Sequence, residues 1–183
     1  TLHTGKIGKE LYFDSEFTGL HQNTTLISIA FVAENGKKLY IEFTDYDRTQ
    51  INEWIQINVI DNLWSTVSPV PWQDDVEYYF LSKKEAVHII RDWFSNFEDE
   101  VEMWGDCLAY DWMLFCELFG GAMYIPNIIS YIPLDLSTLM AINGIDPDVS
   151  RKELSKFNGN QHNALSDATM IKLCYEYIES YYL

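Results

Sequence analysis

Two carboxylates lie two residues apart in the segment YFDSEFTGL, which spans residues 12–20. Side chains alternate between the two faces of an extended strand, so Asp14 and Glu16 project together, with backbones roughly 6–7 Å apart. Phe13 and Phe17 then point to the opposite face. The two acids can converge on a metal ion, and without one they repel each other. Taken alone, the segment also fits a sheet edge with two solvated acids.

Two later carboxylates occupy positions where a helix is otherwise apolar. Asp111 shares a helical face with Leu114 and Leu118, and burial of an unpaired charge there is costly. The alternative for Asp111 is an ordinary first-turn acid that interacts favourably with the helix dipole. Asp167 lies at the edge of the apolar stripe of the last helix, and His162 precedes it by five residues. A titratable base and an acid therefore lie near the start of the same helix.

Four acids on three separate segments would repel each other strongly if they met without a counterion. Hard divalent cations, which prefer oxygen ligands, remove that repulsion. Two such ions close together can clamp the attacking and leaving oxygens of a phosphodiester. A neutral histidine can accept the proton of the attacking water. The ordered set therefore favours phosphodiester hydrolysis.

The composition indicates one globular domain, with 183 residues of which 48% are hydrophobic. We expect residues 1–9 to form a flexible tail. No apolar run is long enough for a membrane span, the first residues lack a signal-peptide core, and the three cysteines lack metal-ligand spacing. These features predict a cytoplasmic protein without a membrane partner. The formal charge of −16 argues against broad capture of nucleic acid but leaves room for a site that holds a strand end.

The elements that must position these residues follow from periodicity and turn signals. An antiparallel meander of three strands begins the chain, with an Asn35-Gly36 turn between the last two. Alternating strands and helices follow, which predicts an α/β mixed sheet with helices on both faces. The predicted strands are 10–17, 26–33, 39–43, 101–104 and 128–133; the predicted helices are 48–64, 82–97, 111–119, 134–142, a short one after 150, and 164–182; residues 65–80 are predicted to form a surface loop.

Three segments resemble the motifs of the DEDDh family of 3′–5′ exonucleases, in the family's order. They are DSEFTGL at 14–20, YD at 110–111 and HNALSDA at 162–168. The segments FDSEF, LISIAFVAENG, AYDW and QHNALSDA are similar to small bacterial and phage exoribonucleases of the ribonuclease AS type. The resemblance implies a ribonuclease H-like fold and two magnesium or manganese ions in the active site.

The resemblance also implies a role for each acid. Asp14 would bridge both metal ions, Glu16 and Asp167 would bind one of them, and Asp111 would hold the other. His162 would be the general base.

By the same resemblance, residues after the first acids would contact the substrate. Thr18 and Leu20 would press on the terminal base or sugar, on either side of a bend at Gly19. Phe17 would face either the core or the nucleotide. Asn163, within the third motif, is a further candidate substrate contact.

Some positions depart from the family pattern. Trp112 stands where close relatives have histidine, and it either stacks on a base or packs in the core. Asp106 lies where the family often has asparagine, as an additional acid or as a ligand in place of Asp111. Arg151, with the nearby Lys152, either holds backbone phosphates or belongs to a solvated helix face.

The resemblance implies a metal-dependent 3′–5′ exonuclease that releases nucleoside monophosphates from single-stranded RNA and acts as a homodimer. One alternative keeps this chemistry on single-stranded DNA or on short or cyclic oligonucleotides. Another is an inactive nucleic-acid-binding module on the same fold.

Overall fold

A six-stranded mixed sheet organises the computed structural model, which describes residues 9–183. Residues 1–8 of the expected tail lie outside this range, whereas Lys9 belongs to the first strand. The strand order is β4-β3-β2-β1-β5-β6. The strands are β1 (Lys9–Phe17), β2 (Leu26–Ala33), β3 (Lys38–Phe43), β4 (Val76–Leu81), β5 (Val101–Gly105) and β6 (Leu134–Asp135). β1, β2 and β3 pair antiparallel and the other neighbours pair parallel, which confirms the predicted mixed sheet.

Helices cover both faces of the sheet. They are α1 (Glu53–Asn58), α2 (Lys83–Phe94), α3 (Ala109–Leu118), α4 (Leu136–Ile142), α5 (Arg151–Ser155) and α6 (Ala164–Tyr182). Phe13 of β1 belongs to the apolar cluster with α2 and α3, whereas Tyr12 belongs to the cluster with α4 and α6. Each buried side chain of this size contributes about 1.5–3 kcal/mol to folding. Alternation along β1 therefore fixes which of its residues face α6.

The region 48–64 is not the single helix that its apolar spacing predicts. It contains a 3-10 turn at Arg48–Gln50, then α1, then a second 3-10 turn at Ile60–Asn62. The Asn52 side chain accepts a hydrogen bond of 2.9 Å from the backbone N–H of Ile55 and caps α1. Such side-chain bonds to the backbone start a new turn and interrupt a longer helix.

The prediction of a loop over 65–80 is wrong at its end, where β4 forms the edge of the sheet. Its register with β3 runs from Lys38 opposite Val76 to Phe43 opposite Leu81. The parallel partner lies almost forty residues away, so no local turn signal marks the strand.

The prediction of a strand over 128–133 is also wrong. Ile129 forms only an isolated bridge with Val101, and the paired strand is β6. The predicted helix over 134–142 begins later, because Asp135 caps α4 by accepting a 2.9 Å hydrogen bond from the backbone N–H of Thr138.

Among residues 9–183, none of the helices combines the length and apolar composition that crossing a bilayer requires.

Candidate active site

The first two acids lie on the face of β1 that looks toward α6. β1 alternates Asp14 and Glu16 with Ser15, and an irregularity in its pairing with β2 follows between Glu16 and Phe17. β5 pairs with β1 only as far as Tyr12. The second half of β1 therefore has an open edge beside its acids.

Asp111 occupies that open edge. From the first turn of α3, its Oδ1 accepts a 3.0 Å hydrogen bond from the backbone N–H of Ser15 and one of 2.5 Å from the Ser15 hydroxyl. Ser15 pairs with Ile29 of β2 but has no partner on the β5 side, and the buried Asp111 carboxylate takes that place. The sequence does not indicate that Ser15 donates to Asp111, because the two residues are 96 positions apart and no local pattern links them.

His162 and Asp167 are brought to the same place by the start of α6. His162 adopts a left-handed conformation (φ 61°), which is uncommon for residues other than glycine. Its backbone N–H donates a 3.0 Å hydrogen bond to Oδ2 of Asp167. One ligand atom from each of Glu16, His162 and Asp167 lies within 4.8 Å of the others, so these side chains can hold a metal ion.

Asp14 has an oxygen with no evident partner. Its Oδ2 atom is buried and has no hydrogen bond within residues 9–183. An unsatisfied buried polar atom costs about 1–3 kcal/mol, and more when it carries charge. A cation would satisfy this oxygen, and the surrounding donors are the hard carboxylate oxygens that Mg²⁺ and Mn²⁺ prefer. The residues present therefore fit a divalent metal.

Burial and mutual repulsion change how these acids hold protons. Burial raises the pKa of Asp14 well above its usual value, and the nearby charges of Asp167, Asp111 and Glu16 raise it further. Burial raises the pKa of Asp111 to about 6, although the hydrogen bonds from Ser15 oppose the shift. Burial likewise raises the pKa of Asp167 to about 6. Protons thus reduce the repulsion in the metal-free cluster.

Trp54 packs against His162, with ring centroids 4.9 Å apart and an edge-to-face angle of 73°. Trp54 lies within the predicted helix 48–64, and the structure leaves it 54% exposed at the cleft. Burial lowers the pKa of His162, and the positive charge of Lys152 lowers it further. His162 is therefore neutral near pH 7 and can accept a proton. No signal in the sequence separates Trp54 from a core tryptophan.

These side chains line a cleft with a volume of about 500 Å³. Phe17 and Tyr110 stack in its wall, with centroids 5.5 Å apart and planes 21° apart. Leu20 is 77% exposed and lines the cleft, and its contact with the substrate stays a prediction. A Cβ atom at Gly19 would come within 2.8 Å of the exposed His21 ring, which would have to move to accommodate it. Other lining residues that the sequence did not indicate are Asn52, Ile55, Val59 and Cys107.

The expected contact of Thr18 with the substrate does not fit its position. Thr18 is only 2% exposed and lies outside the cleft lining. Its hydroxyl donates to Oε1 of Gln50 (2.5 Å) and accepts a 2.8 Å hydrogen bond from the backbone N–H of Thr25. Thr18 thus fixes the loop that follows β1.

Two other expected contacts are also turned away from the cleft. Trp112 packs on Phe13 and Phe115, which matches the packing alternative for this residue. Asn163 caps α6, where its Oδ1 accepts a 3.1 Å hydrogen bond from the backbone N–H of Leu165. Its Nδ2 donates to the Tyr40 hydroxyl at 3.2 Å, so the Asn163 side chain is committed to the fold.

Arg151 does not reach the cleft as a free cation. Its Nε donates to Oδ2 of Asp106 at 2.7 Å, and its Nη2 donates to Oδ1 at 3.0 Å. The expected phosphate contact by Arg151 does not fit this arrangement. Asp106 itself lines the cleft, but the ion pair occupies both of its oxygens.

The chain is similar to a described protein family and to curated proteins. Residues 9–179 match the family described as "3′-5′ exoribonuclease Rv2179c-like domain". Two curated Mycobacterium tuberculosis proteins, 3′-5′ exoribonuclease Rv2179c (strain ATCC 25618 / H37Rv) and 3′-5′ exoribonuclease MT2234.1 (strain CDC 1551 / Oshkosh), are similar to this chain. Each is 26% identical over 157 residues, which cover 86% of this chain and 85% of the relative.

Solved structures with low sequence identity share the fold. One, described as 3′-end specific recognition of histone mRNA stem-loop by 3′-exonuclease, superposes with a TM-score of 0.64 at 11% identity, over 95% of this chain and 64% of that chain. The nuclease domain of 3′hExo, a DEDDh family member bound to rAMP, has a TM-score of 0.53 at 12% identity, over 95% of this chain and 93% of that one. The expected ribonuclease H-like fold is confirmed.

Proposed function

Because the chain belongs to the Rv2179c-like family of 3′–5′ exoribonucleases, we propose that it releases nucleoside monophosphates from the 3′ end of single-stranded RNA in the cleft beside β1. The observation that carries this proposal is the convergence of acids from β1, α3 and α6 with one histidine. A hydrogen bond from Ser15 to Asp111 joins β1 to α3, and one from His162 to Asp167 fixes the start of the segment that carries α6.

We propose that Asp14, Glu16, Asp111 and Asp167 hold two Mg²⁺ or Mn²⁺ ions. The buried Oδ2 of Asp14, which has no hydrogen-bond partner in the described part of the chain, supports this assignment. The close approach of ligand atoms from Glu16 and Asp167 supports it independently. When bound, such ions would polarise the scissile phosphate and offset the charge on its oxygens.

His162 is proposed to take the proton of the attacking water. Its low pKa keeps the ring neutral, and the Trp54 ring supports it on one side. Phe17 and Tyr110 offer apolar ring surface for the terminal nucleotide, and Leu20 offers an aliphatic contact at the rim.

The test is digestion of a 5′-labelled single-stranded RNA with Mn²⁺, beside the His162→Ala variant. We expect a ladder that shortens from the 3′ end in the wild type, and a loss of about 10²–10⁴-fold in His162→Ala, because a positioned base contributes that much. Near-normal turnover in His162→Ala would rule out its role as the base.

Matched substrates separate the alternatives. Equal digestion of single-stranded DNA, or preferential digestion of short or cyclic oligonucleotides, would overturn the proposed substrate while keeping the chemistry. RNA binding with no hydrolysis, and no Mn²⁺ binding in calorimetry, would indicate an inactive binding module instead.

We also propose that the protein is a homodimer. Tyr181 and Leu183 at the end of α6 are more than two thirds exposed, and exposed apolar groups of this kind suit an interface. Light scattering of the full chain is expected to give twice the monomer mass of 21.4 kDa. A single species at the monomer mass would refute the dimer.

A further inference from the structure

Arg151 makes contacts that a solvated side chain would not make. Besides its two bonds to Asp106, its Nη2 donates to the Ser137 hydroxyl at 3.0 Å. Its Nη1 donates to the backbone oxygens of Pro147 (2.8 Å) and Val149 (2.7 Å). The side chain is 13% exposed. The planar fork of the guanidinium matches a carboxylate with two parallel bonds, which a lysine cannot reproduce.

Asp106 is a fifth acid beside the proposed metal ligands. It directly follows β5 and lines the same cleft as Asp14 and Asp111. Its charge contributes to the raised pKa of both residues. The Ser137 hydroxyl donates a further 2.6 Å hydrogen bond to Oδ1 of Asp106. Arg151 and Ser137 therefore hold this carboxylate in place and offset its charge.

The ion pair also joins two parts of the site across 45 residues of sequence. Asp106 belongs to the junction between β5 and the helix that carries Asp111. Arg151 begins α5, in the segment that leads to His162. The pair thus ties the segment that carries Asp111 to the segment that leads to His162 and Asp167.

We infer that Arg151 is a positioning residue for the exonuclease reaction, which keeps Asp106 out of the metal-ligand set and fixes the segment before His162. This inference rests on the proposed function. Removal of the guanidinium would leave the Asp106 carboxylate facing the cleft without a counter-charge. The addition or loss of one carboxylate changes the affinity of a metal site built from oxygen ligands. Removal of both charges would restore the balance.

The experiment compares Arg151→Gln, Asp106→Asn and the double variant. We expect Arg151→Gln to lower kcat about tenfold with KM for RNA changed less than about threefold, since geometry rather than substrate affinity is lost. The double variant is expected to recover to within about threefold of Asp106→Asn. Arg151→Lys is expected to remain impaired, because a lysine offers no planar fork for the two carboxylate oxygens.

Calorimetry of Mn²⁺ binding supplies a readout that does not depend on turnover. Arg151→Gln is expected to bind Mn²⁺ at least about threefold more tightly, and the double variant to bind as the wild type does. The matched control is Lys156→Gln, which removes the same charge just after α5 without touching Asp106, and should alter neither kcat nor Mn²⁺ affinity.

Several results would overturn the inference. A raised KM with unchanged kcat, a weaker salt dependence, and no rescue by Asp106→Asn would make Arg151 a phosphate contact. If Arg151→Gln has the kcat and the Mn²⁺ affinity of the wild type, Arg151 is not a positioning residue. If Arg151→Gln does not fold, the double variant must fold and be active, and an inactive double variant refutes the inference. Absence of hydrolysis by the wild type would refute the proposed function, whereas the Mn²⁺ comparison would still test the pair.

Discussion

Two carboxylates on the central sheet lie in opposite surroundings. Glu42 of β3 is fully buried, and its two oxygens accept four hydrogen bonds. The donors are the hydroxyls of Tyr40 and Tyr78 and the backbone N–H groups of Trp64 and Ser65, at 2.5–3.0 Å. Every contact of Glu42 brings a partial positive charge toward the carboxylate, which is how a fold accommodates a buried acid.

Asp14 of β1 is surrounded instead by acids. Its neighbours in the cleft are Glu16, Asp111, Asp167 and Asp106, and its Oδ2 has no partner within residues 9–183. The fold thus supplies hydrogen-bond donors to both oxygens of Glu42, whereas within the described residues Oδ2 of Asp14 has none. The difference supports the proposal that Glu42 serves stability whereas Asp14 serves a cation, and that the neighbouring groups distinguish the two uses.

The largest expected effect is on activity at Asp14. Asp14→Asn keeps the shape but removes the charge that a cation needs, so we expect turnover of 3′-labelled RNA to fall at least about 100-fold. The free energy of unfolding without metal is expected to stay equal or to rise, because one repulsive charge disappears. Turnover within tenfold of the wild type would contradict the comparison.

At Glu42 we expect the reverse pattern. Glu42→Gln would turn an amide NH₂ toward groups that are themselves donors, and an unsatisfied buried group costs about 1–3 kcal/mol. Urea unfolding should show that loss, while turnover per folded molecule stays within about twofold. A stable but inactive Glu42→Gln protein would show that the two acids are not functionally separate.

The pH dependence of stability sharpens the same contrast. Asp111 and Asp167 have pKa values of about 6 in the folded chain and an ordinary value of 3.8. A carboxyl with a raised pKa binds more protons when folded, so its stabilisation is present below about pH 4 and is lost as the pH rises through about 6. With EDTA, we expect the free energy of unfolding to fall by at least about 1 kcal/mol between pH 4.5 and 7.5.

Added Mn²⁺ should abolish this fall at the upper end of the range, because a cation replaces the protons. Stability that rises with pH in EDTA would mean that the acids are not crowded as described. The measurement is thermal unfolding at each pH, with EDTA and with Mn²⁺, at matched ionic strength.

The smallest expected effect concerns Trp54, which packs against the proposed base His162. Trp54 contacts His162 through an edge-to-face ring pair from an exposed position, whereas the two tyrosines donate hydrogen bonds to Glu42. An aromatic pair of this kind is worth about 0.5–1.5 kcal/mol, which corresponds to about 2–10-fold in rate. We expect Trp54→Ala to lower kcat by that factor and Trp54→Phe to retain most of the activity. If both variants have the kcat of the wild type, Trp54 does not support His162.

The sequence predicts well what depends on local period and charge. Alternation along β1 places Asp14 and Glu16 on one face, and a capping box of Ser82 and Glu85 begins α2 close to the start of the predicted helix 82–97. The three-stranded meander also follows from its turn, where Gly36 adopts a φ of 88°. Each of these signals lies within a few residues of the structure that it specifies.

The sequence predicts poorly which way a small polar side chain turns. Thr18 and Asn163 belong to segments that resemble substrate-contact motifs, but both use their polar atoms to satisfy nearby backbone groups. The same atoms would serve a substrate, so residue type does not separate the two uses. The sequence does not indicate the Asp106–Arg151 ion pair for another reason, which is that the two residues are 45 positions apart in the chain.

The order in which the acids occur along the chain has a consequence for synthesis. The last of them, Asp167, belongs to α6, which also packs on β1 at the opposite end of the sequence. A nascent polypeptide that has not yet emerged from the ribosome beyond residue 161 lacks both His162 and Asp167. If His162 and Asp167 have the proposed roles, such a partial product lacks the base and one metal ligand, and we expect it not to hydrolyse RNA.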